Sequence, residues 1–132
     1  MSGEKVIASF DYLVAIFWVL MAKDVKEIKI GDLSNVQEVI YKLQQSQVFG
    51  KFFKSYDDFV VREKKESFKL EHDIAKMGYN DLFEKKVCSD GLYLVLLPDN
   101  IIMYYEEFIM KNIKREDKAT IWLMADEFLR IL

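Results

Sequence analysis

Residues 6–22 form a run of 17 amino acids that only Ser9 and Asp11 interrupt with short polar side chains. A helix that is apolar on almost every side has no face suited to water, so other parts of the chain must surround it. The run is at the short limit for a membrane span, and a carboxylate near the bilayer centre costs about 2.5–3.5 kcal/mol. We therefore expect a central buried helix over residues 5–22 in a cytoplasmic protein, with no membrane partner.

One stripe of this helix is less apolar than the rest. Ala8, Asp11, Ala15, Trp18 and Ala22 recur at spacings of three and four residues, which places them on one side. Two interpretations are open: the alanines admit a closely packed neighbouring helix, or the stripe faces solvent. The carboxylate favours the second, because burying an unpaired charge is costly.

The next segments differ in their hydrophobic period. Residues 25–30 alternate polar and apolar side chains, which predicts a short strand. Ser34 and Gln37 have the spacing of a capping box and predict the start of a second helix. Aromatic residues recur at spacings of three and four over residues 49–60, which predicts mostly helical structure there.

A third helix follows a charged run, residues 61–66, that we expect to be solvated. Ser67 is its predicted N-cap, and Gly78 is suited to the position just after its end. Two more helices are predicted, over residues 100–114 and from residue 116 onwards. The last one is amphipathic up to its final residue, which favours docking of that end.

Residues 84–97 predict a β-hairpin around a Ser-Asp-Gly turn, and its second strand is apolar enough to be covered on both faces. Helix, strand, helix, helix and hairpin is the element order of a winged helix, in which the first strand pairs onto the hairpin. The predicted fold is therefore α+β: a mostly helical single domain, residues 1–132, with a small antiparallel sheet made of strand 25–30 and hairpin 84–97. Two further C-terminal helices complete it.

The sequence lacks the residues that most catalytic and metal sites need. It has one histidine, His72, and one cysteine, Cys88, whereas a zinc site usually needs several such ligands. The adjacent acids Asp57–Asp58 and Glu106–Glu107 diverge by about 100° on a helix and form no acid–base pair by themselves. We predict no enzyme, no metal and no cofactor. A lone cysteine excludes an internal disulfide and favours a reducing compartment.

A DNA-binding surface is the weaker of two functional hypotheses. Residues 51–86, which would hold a recognition helix and a wing, carry nine Lys or Arg and eight Asp or Glu, and the net charge of the chain is −3. Binding to duplex DNA depends on cations that neutralise phosphates. If the chain is a winged-helix transcriptional regulator, the candidate contacts are Lys64, Lys65, Lys69, Lys85 and Lys86.

A protein-binding surface is the favoured hypothesis because ten Phe, seven Tyr and two Trp are many for one small core. The sequence predicts a small non-enzymatic regulator or inhibitor that acts by protein contact, and the C-terminal helices are a natural homodimer element. Lysine greatly outnumbers arginine, which is typical of an AT-rich genome and suggests a mobile genetic element. The interface candidates are Trp18, Phe49, Phe52, Phe53, Tyr56, Phe59, Tyr104 and Tyr105.

Overall fold

The computed structural model describes residues 8–132, so the predicted helical residues 5–7 lie outside the described part. Within it there are five α-helices, a small three-stranded antiparallel sheet, and a two-stranded ribbon between the second and third helices. The helices are α1 (Ser9–Ala22), α2 (Leu33–Gln45), α3 (Phe68–Tyr79), α4 (Pro98–Tyr104) and α5 (Lys118–Ile131). The strands are β1 (Glu27–Gly31), β2 (Val60–Val61), β3 (Lys65–Glu66), β4 (Phe83–Cys88) and β5 (Gly91–Leu96).

Helix α1 lies at the centre of the hydrophobic core, as its sequence predicts, with α4 and α5 packed against it. Its predicted stripe faces solvent only at its two ends, where Ala8 and Ala22 are exposed. Asp11 and Trp18 are half-buried and Ala15 is buried, so neither interpretation holds along the whole stripe. No helix among residues 8–132 is long and apolar enough to cross a bilayer.

Asp11 makes the stability of the folded protein depend on pH. Partial burial raises the pKa of its carboxyl, although a hydrogen bond with Asn112 and the charge of Lys76 lower it. Because the folded state then binds the proton more tightly than the unfolded chain, the contribution of Asp11 to stability is greatest at acidic pH and is lost as the pH rises through its folded-state pKa. We expect Asp11→Asn to raise the melting temperature at pH 7, measured by circular dichroism. The gain should shrink near pH 3, and an equal gain at both values would contradict this account.

The sheet has the strand order β1-β5-β4, and both pairings are antiparallel. The first strand therefore completes the sheet by pairing with the second strand of the hairpin, as the winged-helix element order predicts. Gly91 opens β5 with a φ of 128°, and a Cβ on it would lie 3.0 Å from the Gly31 Cα. This turn therefore needs glycine. The mostly helical α+β fold with a small antiparallel sheet is confirmed.

The predicted capping box of α2 is wrong. The helix begins one residue earlier, because Asp32 is extended and its carboxylate accepts a hydrogen bond from the Ser34 N–H at 2.8 Å. Gln37 is buried and does not reach back to the cap. Its Oε1 accepts the N–H of Ser67 at 2.6 Å, which links α2 to the start of α3.

The predicted helix over residues 49–60 is also wrong, since only a short 3₁₀ helix, Gly50–Phe53, forms there. The amide of Gln44 explains the difference. It donates to the carbonyl oxygens of Phe53 (2.9 Å) and Tyr56 (2.7 Å), which holds this segment as turns against the end of α2. The charged run after it is mostly exposed, as expected, but forms the β2–β3 ribbon.

Three further boundaries differ from the predictions. Helix α3 continues through Gly78, and the left-handed residue after it is Asp81, with a φ of 57°. The predicted helix over residues 100–114 is α4 followed by a π-helical turn, Tyr105–Ile109, and a 3₁₀ turn, Met110–Asn112. Strand β5 is fully covered on one face only: Leu94 and Leu96 are buried, whereas Tyr93 and Val95 on the other face are half-buried.

Candidate functional site

Four of the aromatic residues proposed as interface candidates are core residues instead. Phe52, Phe53, Tyr56 and Tyr105 are buried. The ring of Phe52 lies 4.6 Å from that of Tyr12 in α1, between centroids. The segment that carries Phe52 and Phe53 packs against α1 and α2, and Tyr105 stacks on Trp18 of α1. These four residues, including Tyr56, are therefore corrected from surface to core.

The other four candidates, Trp18, Phe49, Phe59 and Tyr104, are half-buried. Trp18 stacks on Tyr105 at 4.6 Å and meets Trp122 of α5 edge-on at 6.5 Å, between ring centroids. Trp18 and Tyr105 are thus brought together where α1, α5 and the π-helical turn meet. These rings therefore pack mainly against other residues of the monomer.

Four of the five lysines proposed as DNA contacts lie within ion-pair distance of a carboxylate. The pairs, with their N–O distances, are Lys64 with Asp32 (3.9 Å), Lys65 with Glu38 (3.3 Å), Lys69 with Asp57 (2.5 Å) and Lys86 with Glu27 (3.5 Å). Only Lys85 makes no ion pair within residues 8–132. The lysines are therefore close to α3 and the hairpin but are largely neutralised by acids.

The three most exposed large apolar side chains of the described chain lie on α3 and β4. They are Tyr79 (87% exposed), Val87 (85%) and Phe68 (80%). Phe68 and Tyr79 fall on the side of α3 opposite its buried residues, at both ends of the helix. Neither Phe68 nor Tyr79 is among the candidates predicted from the sequence, although aromatic residues that fall outside the buried stripe of a helix indicate an exposed position.

The register of the sheet explains why Val87 is exposed. Phe83, Lys85 and Val87 of β4 are paired with Leu96, Leu94 and Leu92 of β5, so they lie on the same face as the buried Leu94 and Leu96. Near Phe83 this face is covered by α3, because a Cβ on Gly78 would touch its ring at 3.6 Å. Further along β4, α3 no longer covers this face. Lys85 and Val87 on the inner face of the hairpin are therefore exposed.

A groove of about 810 Å³ lies between the hairpin, α3, the start of α2 and the β2–β3 ribbon. We call it the under-wing groove. We use "α3–wing face" for the surface made by Phe68, Glu71, Ala75 and Tyr79 of α3 with Lys85 and Val87 of β4. The groove is lined by Asp32, Leu33, Ser34, Gln37, Lys64, Glu66, Glu71, Ile74, Ala75, Gly78, Tyr79, Phe83 and Lys85.

A buried polar hub fixes the start of α3. The Ser67 hydroxyl accepts the N–H of Leu70 at 3.1 Å, so Ser67 is the N-cap, as predicted, and it donates to the Asp58 carboxylate at 2.5 Å. Partial burial raises the pKa of Asp58, but hydrogen bonds from the Ser67 hydroxyl and the Lys69 N–H outweigh this and lower it overall. The α3–wing face is therefore built on a helix with a defined beginning.

The buried tyrosine–carboxylate pairs are structural. The Tyr56 hydroxyl donates to Asp73 at 2.7 Å, and the Tyr12 hydroxyl donates to Asp117 at 3.2 Å. Burial, followed by the charge of the neighbouring carboxylate, raises the pKa of both hydroxyls well above the usual range. They therefore stay protonated and serve as donors between distant parts of the chain.

The described residues show no group of three or more His, Cys, Asp and Glu side chains placed to hold a metal ion. Comparisons with family models, curated proteins and solved structures gave no match. Function must therefore be inferred from the geometry and chemistry of the residues, and the most distinctive surface is the α3–wing face.

Proposed function

We infer that the protein is a small, non-enzymatic regulator or inhibitor that binds another protein through its α3–wing face, and that it acts in the cytoplasm. The observation that carries this inference is the exposure of Phe68, Tyr79 and Val87 on the two elements that flank one groove. Exposed aromatic side chains beside a groove are typical of protein-binding hot spots.

The energetics also favour a protein partner. Fully burying an exposed Phe or Val side chain contributes about 1.5–3 kcal/mol. Phe68 and Tyr79 are 11 residues apart on α3, or about 16 Å along the helix axis, which is compatible with one continuous interface. A partner that covers both rings and Val87 would gain a substantial part of its binding energy from three side chains.

A DNA-binding function is the second candidate, because the element order and strand order are those of a winged helix. In helix-turn-helix proteins the recognition helix contacts base edges and flanking cations contact phosphates. Here α3 would present Phe68, Glu71, Ala75 and Tyr79 to the duplex. Those side chains supply no cation, and the nearby lysines are mostly paired with acids.

The predicted homodimer through the C-terminal helices and the origin in a mobile genetic element both stay predictions. Trp122 and Leu123 of α5 are exposed and are the side chains that such a dimer would bury. Sedimentation velocity of the purified chain over a range of concentrations tests the dimer.

A capture experiment with matched variants tests the protein-binding function. The tagged wild type, a Phe68→Ser/Tyr79→Ser variant and a Val48→Ser control are incubated with lysate from the native host, and bound proteins are quantified by mass spectrometry. We expect at least one host protein to be depleted about tenfold or more by the double substitution and retained by the control, because Val48 is exposed outside the α3–wing face and outside the C-terminal helices.

The same purified proteins distinguish the two candidate functions. Their binding to a random-sequence DNA duplex is measured at low and at physiological salt. Tight binding that falls steeply with salt, together with host-protein capture that the double substitution does not change, would replace the protein-binding function with the DNA-binding one.

A further inference from the structure

We propose that the under-wing groove receives a peptide segment of the partner in which an apolar anchor side chain lies next to a lysine or arginine. This rests on the proposed function and adds the chemistry of the bound segment. The juxtaposition that carries it is an apolar floor beside two carboxylates, Glu66 and Glu71, that have no ion-pair partner within residues 8–132.

The floor of the groove accepts an apolar side chain. Ile74 and Phe83 are almost completely buried yet line it, and Ala75 and Gly78 present little side chain of their own. The absence of a Cβ at Gly78 leaves the ring of Phe83 in reach, since an added Cβ would stand 3.6 Å from its Cζ. Small residues above an aromatic ring leave a shallow depression, and an apolar side chain inserted into it gains contacts on several sides.

The charges around the groove favour a cation on the α3 side. Asp32, Glu66 and Glu71 line it on the α2, β3 and α3 walls, against the cations Lys64 and Lys85. Lys64 is held by Asp32, at the longest N–O distance among the ion pairs of the described chain, 3.9 Å. Glu66 and Glu71 therefore line the groove without a cation within ion-pair distance among residues 8–132. A basic residue next to the anchor would complement them.

The charge of Lys85 determines whether its substitution should strengthen or weaken peptide binding. It lies on the inner face of the edge strand β4, where an inward-facing charge also discourages pairing of that edge with other strands. Because it is the one cation in the groove without an ion pair among residues 8–132, it opposes a basic segment. Removing Lys85 should therefore strengthen binding of a basic segment, whereas removing the two glutamates should weaken it.

The experiment uses a phage-displayed library of random dodecapeptides selected on the full-length chain. We expect the enriched peptides to share an apolar residue with a lysine or arginine next to it, on either side. One such peptide is synthesised with a fluorophore, and its affinity is measured by fluorescence polarisation. Glu66→Gln/Glu71→Gln should weaken binding about fivefold, and Lys85→Glu should strengthen it about threefold. Ala75→Gln, which fills the groove without adding charge, should weaken it about tenfold or more.

Matched surface variants control for indirect effects. Glu106→Gln and Lys111→Glu change the same charges outside the groove and should leave peptide affinity unchanged. Since unfolding weakens binding in every variant, the opposite signs expected for the glutamate and lysine substitutions cannot come from loss of structure.

The outcomes separate this inference from the proposed function. Enriched peptides without a basic residue, enrichment of no peptide, or equal effects of the glutamate and lysine substitutions overturn the inference. Concentration-dependent dimers that Ala75→Gln dissolves overturn it too, because the occupant is then a second copy. In each case the host-protein capture with the Phe68→Ser/Tyr79→Ser variant still decides whether the α3–wing face binds a partner.

Discussion

Replacing Phe52 with alanine is expected to lower the free energy of unfolding by about 3–5 kcal/mol. The side chain is completely buried, and its ring packs on Tyr12 of the central helix at 4.6 Å between centroids. Truncation loses the transfer free energy of the ring and leaves a cavity that a close-packed core does not fill. Urea unfolding followed by far-UV circular dichroism measures the change as a shift of the midpoint.

Phe68→Ala is the matched control for this prediction. It removes the same atoms from a ring that is 80% exposed, so the free energy of unfolding should change by less than about 0.5 kcal/mol. Similar losses for the two substitutions would contradict the division between core and surface aromatics. A large loss at Phe68 with a small one at Phe52 would reverse it and return Phe52 to the interface candidates.

Much of the fold was predictable because local signals agree with tertiary structure. The apolar run before residue 22 could only be central, Ser67 precedes a clear amphipathic helix, and a Ser-Asp-Gly turn separates the two strands of the hairpin. Each of these features is confirmed. The pairing of β1 with β5 followed from the element order, which leaves a short strand few other places to pair.

The errors arise where distant residues decide the local structure. Residues 49–60 have helical spacing, but the amide of Gln44 binds their carbonyl oxygens and holds them as turns. Asp32 takes the cap that Ser34 was expected to form, which leaves Gln37 free to bind the backbone of Ser67. The hydrogen bonds of Gln44 and Gln37 connect residues 9 to 30 positions apart, so hydrophobic period and capping patterns do not reveal them. The Asp32 cap is the exception, because it is local: Asp32 and Ser34 are both suitable capping residues, and the prediction chose the wrong one.

The candidate site was less predictable than the fold for the same reason. The surplus of aromatics was a correct observation, but it did not show which rings the core absorbs. Phe52 and Phe53 are buried by contacts with α1 and α2, whereas Phe68 and Tyr79 are left outside by the position of α3. The neutralisation of Lys65 by Glu38, 27 residues earlier, is likewise a consequence of packing.

Ser67→Ala is expected to lower the free energy of unfolding by about 2–3 kcal/mol. Loss of the helix cap accounts for about 1 kcal/mol. The rest arises because the buried Ser67 hydroxyl also donates to the Asp58 carboxylate, and a hydrogen bond to a charged group contributes about 1.5–3 kcal/mol. Ser34→Ala is the control. Its hydroxyl is not the cap of α2, and the N–H that Asp32 accepts is kept, so a change below about 0.5 kcal/mol is expected.

The pH dependence of this loss identifies its cause. Because the folded state holds the pKa of Asp58 below its unfolded value, the stabilisation is present above the unfolded pKa and is lost as the pH falls through the folded pKa. The difference between wild type and Ser67→Ala should therefore be largest near pH 7 and narrow below about pH 4. If the difference stays constant over this range, the loss comes from the cap alone. The hydrogen bond from the Ser67 hydroxyl to Asp58 then contributes nothing to holding the beginning of α3, the helix that carries the proposed docking face.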